Sequence, residues 1–116
     1  MGVVERELTF EARGLTLHGR IVMSEDKIQP GVLFVSGANP TPYKESEEFN
    51  EFRRHLCEQG LNSFIYDWSG MGENEVDPAG ETLLARQEIS EAALKLMKHY
   101  HTDSSRIGLV VTSMGG

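Results

Sequence analysis

Only one of the 116 residues is a cysteine, Cys57. No disulfide can form within the chain, and the simplest reading is a reducing, cytoplasmic setting. Basic residues are also scarce: 11 Lys and Arg stand against 18 Asp and Glu, a net charge of -7. Nucleic acids and anionic membrane surfaces both need a basic face, so neither is an expected partner. No apolar run approaches the length of a membrane span. Near the N-terminus Glu5, Arg6 and Glu7 interrupt any apolar segment that a signal peptide would need. Internal repeats and low-complexity stretches are missing too. What remains is the composition of an ordinary globular protein, 39% hydrophobic and 25% charged, with chain enough for one modest core.

The apolar pattern changes period along the chain. Val4, Leu8, Phe10 and Ala12 share one parity and Glu5, Glu7, Thr9 and Glu11 the other, which predicts a half-buried strand. Leu15, Leu17, Ile21 and Met23 alternate again after Gly14, so an antiparallel hairpin across Arg13-Gly14 is expected. Ser24 to Pro30 reads as a polar connector. The continuous runs Val32 to Val35, Phe64 to Tyr66 within Asn62 to Asp67, and Ile107 to Val111 suit strands buried on both faces of a parallel sheet. Between them the spacing is helical. Ser46 is placed to cap a helix that carries Phe49, Phe52 and Leu56 on its apolar face and ends near Gly60. A second helix runs from about Thr82 to Tyr100, with Ala85, Ile89, Ala93, Leu96, Met97 and Tyr100 on one face. The order β-β-β-α-β-α-β predicts an α/β fold: an N-terminal antiparallel hairpin, then parallel strands with intervening helices.

Chemistry concentrates where strands stop. Ile107-Gly108-Leu109-Val110-Val111 runs directly into Thr112-Ser113-Met114-Gly115-Gly116. A serine on a sharp strand-to-helix turn is held with its hydroxyl exposed, and small residues nearby let backbone approach. This segment resembles the nucleophile elbow of the α/β-hydrolase superfamily. Two more features fall in that family's order. Val35-Ser36-Gly37-Ala38 is similar to the strand end that supplies half of the oxyanion hole. Asp67-Trp68-Ser69-Gly70-Met71-Gly72-Glu73-Asn74 is similar to the family's glycine-rich turn after the next strand. The stretch Gly37-Ala38-Asn39-Pro40 is similar, loosely, to the esterase- and peptidase-like branches.

The resemblance covers the whole chain and implies that residues 1–116 form the N-terminal part of a single partial α/β-hydrolase domain. It implies Ser113 as nucleophile, with the backbone N–H groups of Met114 and Ala38 as oxyanion donors. The implied function is serine-dependent cleavage of an ester or amide in a small acyl substrate, with no metal or organic cofactor. Ser36 stands where histidine is usual, Asn74 replaces the closing serine of the glycine-rich turn, and Val111 replaces the first elbow glycine. An acyltransferase, or a non-catalytic binding module on the same scaffold, stays open. In the family the acid and the histidine base follow the serine, so the chain alone is expected to be inactive. His18, His55, His99 and His101 all read as surface or capping residues, and His99-x-His101 lacks a third metal ligand. Cys57 reads as a small packing residue. Gly70-x-Gly72 lacks the third glycine and the position of a dinucleotide fingerprint. Self-association through the last strand is expected if its edge is uncovered.

Overall fold

The computed structural model describes residues 2–35, 47–66 and 83–111. Seven elements lie within them: β1 (Val3–Ala12), β2 (Leu15–Ser24), β3 (Gln29–Val35), α1 (Glu47–Glu58), β4 (Asn62–Tyr66), α2 (Leu83–Met97) and β5 (Thr102–Val111). The strands form one sheet in the order β1-β2-β4-β3-β5. The first two are antiparallel, β2 pairs antiparallel with β4, and β3 pairs in parallel with both β4 and β5. This is the expected α/β arrangement, with the hairpin at one side. No described helix is long and apolar enough to cross a membrane.

The hairpin turns in two residues. Arg13 and Gly14 both have positive φ, 54° and 76°, the backbone of a tight turn whose twist matches the strands it joins. Arg13 Nη1 then donates to Glu88 at 3.0 Å and ties the turn to α2. On β2, Gly19 lies against β4. A Cβ at this position would fall 2.5 Å from the Ile65 carbonyl oxygen and 2.6 Å from the Phe64 ring, so only glycine lets the strands approach.

Each face of the sheet has its own apolar layer. Leu33 and Val35 of β3 join Phe10, Leu17, Ile21, Phe64 and Tyr66 beneath Ile89, Ala93 and Met97 of α2. The Phe10 ring meets Phe64 and Tyr66 edge-on, at centroid distances of 5.9 and 5.5 Å. On the opposite face Val32, Phe34 and Ile65 pack against Phe49, Leu56 and Leu61. The continuous apolar runs therefore feed both layers, as their pattern implied.

Element ends differ from the sequence reading for identifiable reasons. Strand β3 starts at Gln29, inside the expected connector, because Gln29 N donates to the His101 carbonyl at 2.9 Å. The second helix stops at Met97 rather than Tyr100, and His101 takes a left-handed φ of 53°. β5 therefore begins five residues early, at Thr102, with a register shift before Ile107. Phe52, expected on the apolar face of α1, is half exposed; the buried face is Asn50, Arg53 and Cys57.

One buried side chain links these starts. Asn62 Oδ1 accepts from Ser24 N at 3.0 Å and from Gln29 Nε2 at 2.8 Å. Its Nδ2 donates to the His101 carbonyl at 2.8 Å and to Thr102 Oγ1 at 3.1 Å. The Asn62 amide thus joins the end of β2 to the beginnings of β3, β4 and β5. His101 Nδ1 closes the ring by donating to the Ser24 carbonyl at 2.8 Å. Asn62→Ala strands several buried donors and acceptors at once and should cost about 2–4 kcal/mol of folding stability. Urea unfolding measures this; a loss no larger than that of an exposed control such as Glu48→Ala would contradict it.

Candidate active site at the C-terminal edge of the sheet

Parallel strands deliver their following segments to one edge, and here they do so in register. Val35 pairs with Tyr66 on one side and with Val111 on the other. The chain therefore leaves the sheet toward Ser36, Asp67 and Thr112 from three adjacent positions, each about 4.8 Å from the next. The three motifs singled out in the sequence begin at this edge. Ala38 is three residues beyond Val35, and Ser113 and Met114 are two and three beyond Val111. Ser36, Ala38, Ser113 and Met114 themselves, with Gly37, Asp67, Gly70 and Asn74, lie outside the described residues, as does the proposed cap Ser46.

The floor beneath the edge is firmly held. Val35 and Tyr66 are buried, and the Tyr66 hydroxyl lies 2.9 Å from Ser90 Oγ on α2. On the other face, α1 follows the segment that carries Ala38, and a buried arginine docks it. Arg53 Nε donates to Ser63 Oγ at 2.8 Å and Nη1 to Asn50 Oδ1 at 3.2 Å. Nη2 donates to the Ser63 carbonyl at 3.0 Å and to the Arg20 carbonyl at 2.5 Å. Among these acceptors there is no carboxylate. Burial, reinforced by nearby Arg20, pushes the guanidinium down to about 9, with Glu5 opposing. Arg53 is thus still charged at neutral pH and is held by neutral dipoles.

Neither Arg53 nor Asn62 was singled out in the sequence. Asn50, Arg53 and Cys57 do keep helical spacing, but that face is polar, and an apolar pattern cannot find it.

The resident histidines lie away from the end of β5. His101 precedes β5, whose ten residues span about 30 Å to Val111. His99 lies in the same turn, and exposed His55 is two residues from Cys57, whose carbonyl oxygen lies 3.4 Å from Gln29 Nε2 at that far edge. His18 is near the right level, since Gly19 pairs with Tyr66, but β2 is three strand spacings from β5. That is about 14 Å, far beyond the ~3 Å that a general base needs.

Cys57 is fully buried, as its packing role implied. Burial pushes its thiol up, which disfavours a thiolate nucleophile. Among the described residues no cluster of three His, Cys, Asp or Glu could hold a metal ion, so His99-x-His101 gains no third ligand.

The chain has the α/β-hydrolase fold. It superposes on a cold-adapted esterase from an Arctic intertidal metagenomic library with a TM-score of 0.74, at 21% identity over 99% of this chain and 53% of that one. It also superposes on the α/β-hydrolase GrgF from Penicillium sp. sh18 with a TM-score of 0.71, at 22% identity over 99% and 39%. A dienelactone hydrolase-like promiscuous phosphotriesterase from metagenomic libraries gives 0.74, at 16% identity over 99% and 51%. This chain therefore spans between 39% and 53% of those three proteins. No protein-family model matches its sequence, and no curated protein does.

Arg53→Met keeps side-chain volume but leaves the Ser63 hydroxyl and two buried carbonyls without this donor. It should lower stability by about 1–3 kcal/mol, because neutral acceptors release no countercharge to offset the loss. Denaturant unfolding at neutral pH decides this. A variant as stable as the parent would mean that the buried guanidinium costs as much as its hydrogen bonds contribute.

Proposed function

We propose that this chain carries the nucleophile and oxyanion donors of a serine-dependent hydrolase that cleaves an ester or amide in a small acyl substrate. The observation that supports this most is the register of the three parallel strands. Val35 and Val111 end side by side, so the segments bearing Ala38 and Ser113 leave from neighbouring strands. In this reading Ser113 Oγ attacks the substrate carbonyl carbon. The carbonyl π pair moves onto oxygen, and the serine proton passes to a histidine base. Backbone N–H groups of Met114 and Ala38 hold the oxyanion; one such donor is worth about 3–4 kcal/mol in comparable enzymes. Collapse of the intermediate expels the alcohol or amine and leaves an acyl-serine, which water then cleaves. The likeness to an esterase and other hydrolases supports the reaction class.

The base is the part that these residues do not provide. All four histidines of the sequence stand well away from the β5 end, and an unassisted serine hydroxyl is a weak nucleophile near neutral pH. The 116-residue chain alone should therefore hydrolyse p-nitrophenyl acetate no faster than its Ser113→Ala variant. A longer protein that joins this sequence to a histidine base and its acid should react with a fluorophosphonate at Ser113, as peptide mass spectrometry would show. Labelling at another residue, or none, would favour the non-catalytic binding module. An acyltransferase would label equally, and its product with an added alcohol would distinguish it.

A further inference from the structure

β5 has two unlike halves. From Thr102 to Ile107 it advances five residues while β3 advances two, Gln29 to Gly31, so its first half bulges away from its neighbour. The charges of the strand sit in that bulge and are tied to each other: Arg106 Nε donates to Asp103 Oδ2 at 3.0 Å, and Ser105 also donates to Asp103. The second half, Ile107 to Val111, holds no charge and no proline. It pairs with β3 along one edge, and among the described residues no strand covers the other. Charges, proline and bulges are the usual guards of such an edge, and this half has none of them.

The same half is self-complementary. Ile107 pairs with Gly31 and Leu109 with Leu33, which places both on the α2 side of the sheet. Leu109 is 54% exposed there. Gly108, on the other side, is so open that a Cβ would meet nothing within 4 Å.

We propose that a second copy of this chain covers the edge. β5 pairs antiparallel with its counterpart about a twofold axis through Gly108. Ile107 of each copy then lies opposite Leu109 of the other on a common face, and Arg106 falls opposite Val110. No like charges meet within the paired segment. A twofold contact of this kind uses up the edge on both copies, so it closes at a dimer rather than growing into a fibre. The charge of -7 on each copy opposes the contact, but it is screened beyond about 8 Å in physiological salt, so association tightens as salt is added. The inference is independent of the catalytic reading.

Sedimentation velocity of the 116-residue chain over a concentration series tests it. A monomer–dimer equilibrium is expected, with a dissociation constant that falls as salt rises. Leu109→Lys should raise that constant by about tenfold or more, since it removes both symmetric Ile–Leu pairs. Leu109→Thr, which keeps strand preference, should weaken the dimer less. Ile28→Lys alters a residue that is 71% exposed in the β2–β3 connector and should change nothing. Hydrogen exchange of the unaltered chain gives a reading free of mutation: amides within Ile107 to Val111 should slow as concentration rises. A monomer at every concentration would overturn the proposal. So would a dimer indifferent to Leu109→Lys, or one broken instead by Phe52→Lys on α1.

Discussion

The side-chain amide of Asn62 sets the level from which three parallel strands start. Both of its polar atoms are used twice. Oδ1 accepts from Ser24 at the end of β2 and from Gln29 at the start of β3, while Nδ2 donates to His101 and Thr102 where β5 begins. Strands are stiff and advance about 3.3 Å per residue, so fixing where they start largely fixes where they stop. Gly31 to Val35 and Asn62 to Tyr66 run the same five residues side by side. The bulge in β5 absorbs its extra length, so that Val111 ends level with Val35. The common edge from which the three motifs depart thus follows from a polar cluster at the other end of the sheet.

Polar groups are buried in this chain mainly where they hold the frame. The Asn62 cluster stands at the N-terminal edge of the parallel strands, and Arg53 braces α1 against β2 and β4. Arg53 exchanges water for four neutral acceptors, a costly burial that an apolar contact could not replace without orphaning them. Charged pairs stay near the surface: Glu7 with Arg20 on the hairpin, and Arg54 with Glu5 and Glu47 beside α1. Exposed pairs of that kind contribute little each. The rigidity that a catalytic edge needs therefore comes from the two apolar layers and these two buried polar anchors.

The strand and helix order could be read from the sequence because its pattern is unusually clean. Val4, Leu8, Phe10 and Ala12 alternate, the runs at Val32 and Phe64 are continuous, and Ile89, Ala93 and Met97 keep helical spacing. Those patterns report burial, and burial decided the layers. They could not report Asn62 or Arg53, because a buried polar residue looks like a solvated one until its partners are known, and those partners are distant in sequence. The early start of β5 was hidden for the same reason. Asp103 and Arg106 read as loop, and only pairing beside β3 makes their backbone a strand. The candidate site residues were legible in the opposite way: Ser113, Met114 and Ala38 were found from motif likeness, and the fold supports the motifs by ending their strands together.

The central claim is that this frame brings two backbone donors to one point above the sheet. If the N–H groups of Ala38 and Met114 both bond one oxyanion at ~3 Å, their nitrogens are no more than about 6 Å apart. A nuclear Overhauser effect between those two amide protons tests this most directly, in a sample whose cross-strand contacts confirm that Val35 and Val111 are paired. The account predicts a clear cross-peak between Ala38 and Met114. Intact pairing of Val35 with Val111 and no contact between the two amides would contradict it.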